Sequence, residues 1–189
     1  MTALSTDPFS RWAERIRESD SHAFAELYDR LYGPLHRFVW YILRDEDATD
    51  DVIQEVFVKL WQVRSTLDPD RSLKALLYQM ARNFALNHTR TARRHVSEDV
   101  AELELGVAPD DDAELTARTL EDRLRVWIDE LPPRRREAFC LSRFEGLSHE
   151  EIAVAMDLAP KTVNNHIVLA LQTLRQRLIA FDADALADG

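Results

Sequence analysis

Between residues 22 and 43 the apolar residues Phe24, Leu27, Leu31, Leu35, Val39 and Ile42 recur at intervals of three and four, the spacing that lines one face of a helix. Gly33-Pro34 falls inside that run, and a proline, which has no amide donor, predicts a break or kink there. A second stripe, Ala48, Val52, Val56 and Leu60 within DATDDVIQEVFVKLW, predicts a helix over 47–61. Leu73, Leu77, Met80 and Phe84 predict a third, from about Ser72 to Arg94. Residues 123–130 read as the end of a helix stopped by Pro132-Pro133, and RRREAFCLSRF starts another, with Ala138, Leu141 and Phe144 expected in a core. Ser148 followed three residues later by Glu151 is a capping-box pattern that fixes a helix start. After a short break at Asp157-Leu158-Ala159, Pro160 suits the first turn of the next helix. Ile152, Ala153, Met156, Leu158, Val163 and Ile167 then form the small core of two crossed helices, a helix-turn-helix pattern.

No strand is needed to account for these stripes, and four glycines in 189 residues are too few for a turn-rich sheet. The expected fold is all-α. The segment SEDVAELELGVAPDDDAEL, residues 97–115, is acidic, holds Gly106 and Pro109 and lacks apolar periodicity, so it reads as a linker between two small helical lobes. The expected division is a first lobe over 20–95, an acidic linker over 96–118 and a second lobe over 119–181.

The polar positions carry the candidate chemistry. On the second helix Asp47, Asp50, Asp51, Gln54, Glu55 and Val58 are left outside the apolar stripe, an acidic surface with an apolar edge. By spacing alone this is a solvated face whose acids sit near the positive end of the helix dipole. On the third helix Asn83, Asn87, Arg90 and Arg94 share one side, at offsets of four, seven and eleven. Amides can read base edges while guanidinium groups hold phosphate; the competing reading is a solvated polar face. In a helix-turn-helix the second helix enters the major groove with its N-terminal residues against base edges. Lys161, Thr162, Asn164, Asn165 and His166 occupy those positions, with Arg175 and Arg177 farther along for phosphate or solvent. Plain helical packing would produce the same pattern.

Charge distribution favours the nucleic-acid reading. The chain carries a formal net charge of -10, yet from Arg71 to Arg94 six basic residues, Lys74 and Arg82 among them, face no acid in sequence. Residues 96–122 sum to -9, and residues 123–181 return to +2. Two regions can therefore meet phosphate, and acidic segments flank or separate them. Other classes fall away. Cys140 is alone, which excludes a disulfide framework or a cysteine-based zinc site and suits a reducing, cytoplasmic setting. With six scattered histidines, no HExxH, no glycine-rich phosphate loop and no nucleophile-base pair, the sequence implies neither an enzyme nor a cofactor or metal. No run approaches a bilayer-spanning length, so no membrane insertion is expected.

DDVIQEVFVKLW followed by SLKALLYQMARNFALNHTRTARR resembles regions 2.1 to 2.4 of the small extracytoplasmic-function (ECF) sigma factors of bacterial RNA polymerase. LPPRRREAFCLSRFEGLSHEEIAVAMDLAPKTVNNHIVLALQTLRQRL resembles their region 4. The second motif alone is also similar to response-regulator effector domains; the first lobe decides between them. The resemblance implies a non-catalytic promoter-specificity subunit, with a stand-alone helix-turn-helix regulator as the alternative. It implies that the 47–58 face docks on the β′ clamp helices of core polymerase, that the β flap and an anti-sigma factor are further partners, and that Asn83 and Asn87 lie around a pocket for a base flipped from the minus-ten element, with Arg82, Arg90, Arg94 and Lys74 nearby. The loop from about Ser65 to Lys74 matches the family's specificity loop, and the second lobe would read the minus-35 element as duplex. Three positions depart from the family's habits: Asp157 where a glycine is common at the turn, Ala159 where a Ser or Thr often caps the recognition helix, and Leu76 where a tryptophan is frequent.

Overall fold

In the computed structural model the backbone is described over residues 8–97 and 120–187, and side chains over 8–91 and 120–181. The described residues form eight α-helices and one 3-10 turn: α1 (Pro8–Arg17), α2 (Ser21–Leu43), α3 (Glu46–Gln62), the turn at Arg64–Thr66, α4 (Leu73–Ser97), α5 (Leu120–Asp129), α6 (Pro133–Arg143), α7 (His149–Met156) and α8 (Pro160–Ala187). Most of the acidic segment expected as a linker lies outside the described residues.

Helices α1 to α4 pack around the predicted stripes. Leu27, Leu31, Leu35 and Val39 of α2 are buried against Val52, Ile53, Val56, Phe57 and Leu60 of α3 and Leu73, Leu77 and Tyr78 of α4. Asp20 caps α2, its carboxylate accepting from the amides of His22 and Ala23. Asp45 caps α3 by accepting from the Ala48 amide, while the buried Thr49 hydroxyl donates to the Asp45 carbonyl.

Two expectations are corrected here. Pro34 does not interrupt α2, which runs through it as one 23-residue helix; tertiary burial of Leu31, Leu35, Phe38 and Val39 on both sides outweighs the single lost amide donor. Helix α1 was not anticipated among the charges of the N-terminal segment, although Ala13 and Ile16 are fully buried and Phe9 and Trp12 pack beside them. The Trp12 indole donates to Glu26 at 2.9 Å, fastening α1 to α2.

In the second lobe Ala138 and Leu141 of α6, Ile152, Ala153, Ala155 and Met156 of α7, and Val163 and Ile167 of α8 are buried together. Phe144 is the exception: 53% exposed, it only flanks Phe139, edge to face, because α6 ends one residue before it. Trp127 and Ile128 of α5, with Leu131, Phe139, Cys140, Ala170 and Leu174, make a separate cluster. The two lobes are not held apart. Residues of α6 and α7 join the same continuous core as α2, α3 and α4, with α7 laid along α4.

Candidate nucleic-acid and docking surfaces

The acidic face of α3 forms as the spacing predicts. Asp47, Asp51, Gln54, Glu55 and Val58 are exposed, one above another on successive turns. Val58, 56% exposed, forms one edge of an apolar groove of about 600 Å³ walled by Phe24 and Tyr28 of α2 and Phe57 and Trp61 of α3. Asp50 is turned the other way and is half-buried: the Tyr32 hydroxyl donates to it at 3.0 Å, and the His36 Nε2 stands 3.4 Å from it. The same nitrogen is 3.4 Å from Glu46. The bond to Asp50, and burial after it, hold the Tyr32 hydroxyl above its ordinary pKa.

Helix α4 presents two faces with different fates. Asn83, Asn87 and Arg90 are exposed on one side; Arg94 lies on the same helix, its side chain beyond those described. Ala75, Tyr78, Gln79 and Arg82, at heptad-like intervals, form the side that meets the second lobe. Arg82, expected with the DNA-facing cations, is 7% exposed and pairs with Glu137 of α6 at 2.7 Å. Lys74 is likewise engaged, donating to the Glu145 carbonyl and lying over the Phe9 ring. Sequence grouped these two by charge; helical position turns Arg82 away from the Asn83 side and puts Lys74 nearly opposite it, where other elements cover them.

That covering contact is polar and extensive. Tyr78 donates to the Glu145 carboxylate at 2.7 Å, and Arg37 lies 3.6 Å from its other oxygen. Burial, reinforced by the neighbouring Glu145 carboxylate, pushes the Tyr78 hydroxyl far above its ordinary range. The Ser72 hydroxyl donates to Glu151 at 2.7 Å and the Gln79 amide to the Val154 carbonyl at 3.0 Å. At the other end Arg44, stacked on Trp40 and Tyr41, pairs with Asp129, and Arg136 donates to the Tyr41 and Asp129 carbonyls.

The helix-turn-helix is built as its sequence specifies. Ser148 and Glu151 form a reciprocal capping box. Asp157 takes the left-handed conformation, φ 54° and ψ 56°, which a short polar side chain tolerates. With Ala159 in place of a hydroxyl cap, the Thr162 and Val163 amides are met only by the Ala159 carbonyl. Lys161, Asn164 and Asn165 are exposed at the start of α8, while Thr162 is half-buried. His166 is half-buried too, and its Nδ1 is enclosed without a hydrogen-bond partner, which sets it apart from its neighbours as a reader. Arg177 is spent on Glu130, leaving Arg175 exposed. Cys140 is buried, its thiol pushed up to about 12 chiefly by desolvation, as suits a packing residue. Among the described residues no group of His, Cys, Asp or Glu is arranged to hold a metal, and no helix is long and apolar enough to cross a membrane.

Comparison with known proteins assigns both lobes. Residues 27–95 match Sigma-70 region 2, and residues 121–174 match Sigma-70, region 4. The chain is 30% identical to the RNA polymerase sigma-H factor of Pseudomonas aeruginosa, over 93% of this chain and 96% of that one. It is also 30% identical to the ECF RNA polymerase sigma-E factor of Escherichia coli, over 87% of this chain and 91% of that one. Among solved structures, CnrH in complex with the cytosolic domain of CnrY superposes with a TM-score of 0.66 at 24% identity, covering 92% of this chain and 99% of CnrH.

Proposed function

This chain belongs to the ECF group of the sigma-70 family, the promoter-specificity subunits that direct RNA polymerase to its start sites, and from that premise we propose how its surfaces divide the work. The family is one of non-catalytic initiation factors, so the residues recognise and position rather than react. Asp47, Asp51, Gln54, Glu55 and Val58, with Asp50 behind them, form the docking face for the β′ clamp helices. Asn83 and Asn87 serve a base captured from the minus-ten element, with Arg90 and Arg94 on phosphate. Lys161, Asn164 and Asn165, assisted by Thr162 and His166, read the minus-35 duplex. The observation that carries this reading is the exposure, on one chain, of Asn83, Asn87 and Arg90 on α4 together with Lys161, Asn164 and Asn165 on α8. Opening DNA is helped by capturing an unstacked base, whereas duplex reading needs a helix in a groove; the two surfaces suit those two tasks. An anti-sigma factor completes the partner set, and the protein works in the cytoplasm with the polymerase.

The packed arrangement bears on this division. Elements at minus ten and minus 35 are about 25 base pairs apart, or about 85 Å at about 3.4 Å per base pair. A compact body of this length has a radius of gyration of only about 16 Å. The lobes must therefore part for both elements to be read together, and parting frees Lys74 and Arg82 to join the minus-ten surface. In the packed form those cations are spent on the second lobe, which lowers the attraction of the free subunit for random DNA.

Transcription of a genomic library by purified core polymerase with and without this protein tests the function. New start sites sharing two upstream elements are expected; none would refute it. For the docking face, reversing Asp51 and Glu55 to lysine is expected to weaken core binding while helix content is unchanged. Unaltered affinity would remove that assignment.

A further inference from the structure

Tyr28, Tyr32 and His36 follow one another at four-residue intervals on the side of α2 that faces α3, ring beside ring: the Tyr28 and Tyr32 centroids are 5.4 Å apart and those of Tyr32 and His36 5.8 Å. The polar ends of Tyr32 and His36 are both directed at the acidic start of α3. The Tyr32 hydroxyl donates to Asp50, and the His36 Nε2 sits equidistant from Asp50 and Glu46. We propose that Tyr32 and His36 are positioning residues for polymerase docking, which fix Asp50 and Glu46 so that the acidic face of α3 is presented in one arrangement. The inference rests on the reading of that face as the docking surface.

The physical need is evident from the sequence of α3. Glu46, Asp47, Asp50 and Asp51 crowd four carboxylates into its first two turns, where like charges repel at short range and long exposed side chains sample many rotamers. A partner that binds such a surface must order those side chains, which costs affinity. Asp50 is already ordered, held from beneath by a phenol and an imidazole. The His36 side chain is only 19% exposed, so its donor cannot swing away into solvent. The charged groups that face the imidazole are Glu46 and Asp50 of α3, with the Tyr32 ring against it from its own helix. Holding Asp50 inward also leaves Asp47 and Asp51, one turn apart on the exposed side, outermost.

The test measures equilibrium association of the labelled full chain with purified core polymerase. Tyr32→Phe, which keeps the ring and removes only the donor, is expected to lower core affinity roughly three- to tenfold, less than a whole hydrogen bond to a carboxylate because the bond orders Asp50 before docking and does not itself contact the partner. Asp50→Ala, which removes the acceptor, is expected to weaken association as well, and adding Tyr32→Phe to it should cost little more, because both remove the same contact. His36→Gln retains a donor and should bind core better than His36→Leu. Thermal unfolding should show every variant fully folded at the assay temperature. Wild-type core affinity in Tyr32→Phe, or full multiplication of the Tyr32→Phe and Asp50→Ala losses, would overturn the inference. The Asp51 and Glu55 reversal separates the two levels: if it weakens core binding while Tyr32→Phe does not, positioning fails alone, and if it has no effect, the docking reading fails and takes positioning with it.

Discussion

Removing Glu137 should open the molecule. Its carboxylate is 12% exposed and lies 2.7 Å from an Arg82 guanidinium that is 8% exposed, across the seam between α6 and α4. In Glu137→Ala the packed form retains a buried cation with no carboxylate. Breaking a buried pair by removing one partner costs about 3–5 kcal/mol, most of it the stranded charge. When the lobes part, Arg82 returns to water and the cost disappears, so the penalty falls on packing between lobes and not on the fold of either. At about 1.4 kcal/mol per decade, the balance should shift toward the parted form by about a hundredfold or more. Energy transfer between dyes on Asp29→Cys and Gln176→Cys, both exposed positions on different lobes, reports the separation; the buried native Cys140 should not compete for label. Transfer should fall in Glu137→Ala, and binding of the free protein to duplex DNA at low salt should rise as Arg82 and Lys74 are uncovered. The apolar replacement Arg82→Met with Glu137→Leu should leave the lobes packed, because removing both charges removes the stranded one. Unchanged transfer in Glu137→Ala, or equal opening in the apolar pair, would refute the reasoning.

Three further outcomes are expected. In polymerase-bound complexes measured against minus-ten variants at several salt concentrations, Arg90→Ala should weaken all promoters alike and reduce the salt slope by about one, whereas Asn87→Ala should cost about 1–3 kcal/mol on the preferred sequence only and leave the slope intact. Cys140, its thiol raised from 9.0 to about 12, should resist iodoacetamide at pH 8 in the native protein and react on unfolding; because the unfolded thiol loses its proton first, native stability should decline as the pH rises from 9 toward 12, measured by denaturant midpoints. Ala159→Ser, supplying the missing hydroxyl cap at the exposed start of α8, should gain about 1 kcal/mol, and raise the melting temperature by about 2–4 °C if unfolding is a single transition.

The sequence disclosed what depends on neighbours within a helix and concealed what depends on neighbours across the molecule. Stripes such as Leu27-Leu31-Leu35 and Val52-Val56-Leu60 announced α2 and α3, and the Ser148–Glu151 box announced α7, because periodicity and capping are local. The exposed positions of α3 and α8 followed by subtraction. Pro34 misled because the local rule against proline holds for an isolated helix, and here packing on both sides overrides it. Helix α1 was legible in Phe9, Trp12, Ala13 and Ile16, but alternating charges hid a stripe only ten residues long. Arg82 and Lys74 could not be placed from charge alone: whether a cation faces DNA or a carboxylate 55 residues away, as Arg82 does, is decided by a tertiary contact that charge does not record. The second stripe of α4, Ala75, Tyr78, Gln79 and Arg82, was its only trace.

Glu151 closes the capping box of α7 with one carboxylate oxygen on the Ser148 amide and reaches Ser72 with the other. Ser72, in turn, accepts from the Ala75 amide at the start of α4 while donating to Glu151. Each partner in this bond thus has a second, local duty that survives when the bond is cut. Parting the lobes would remove one contact from each and unravel neither helix start, since the α7 cap stays closed and the α4 cap stays filled. At this bond the seam runs through groups already satisfied on their own side, so it can open and close there without rebuilding either helix start.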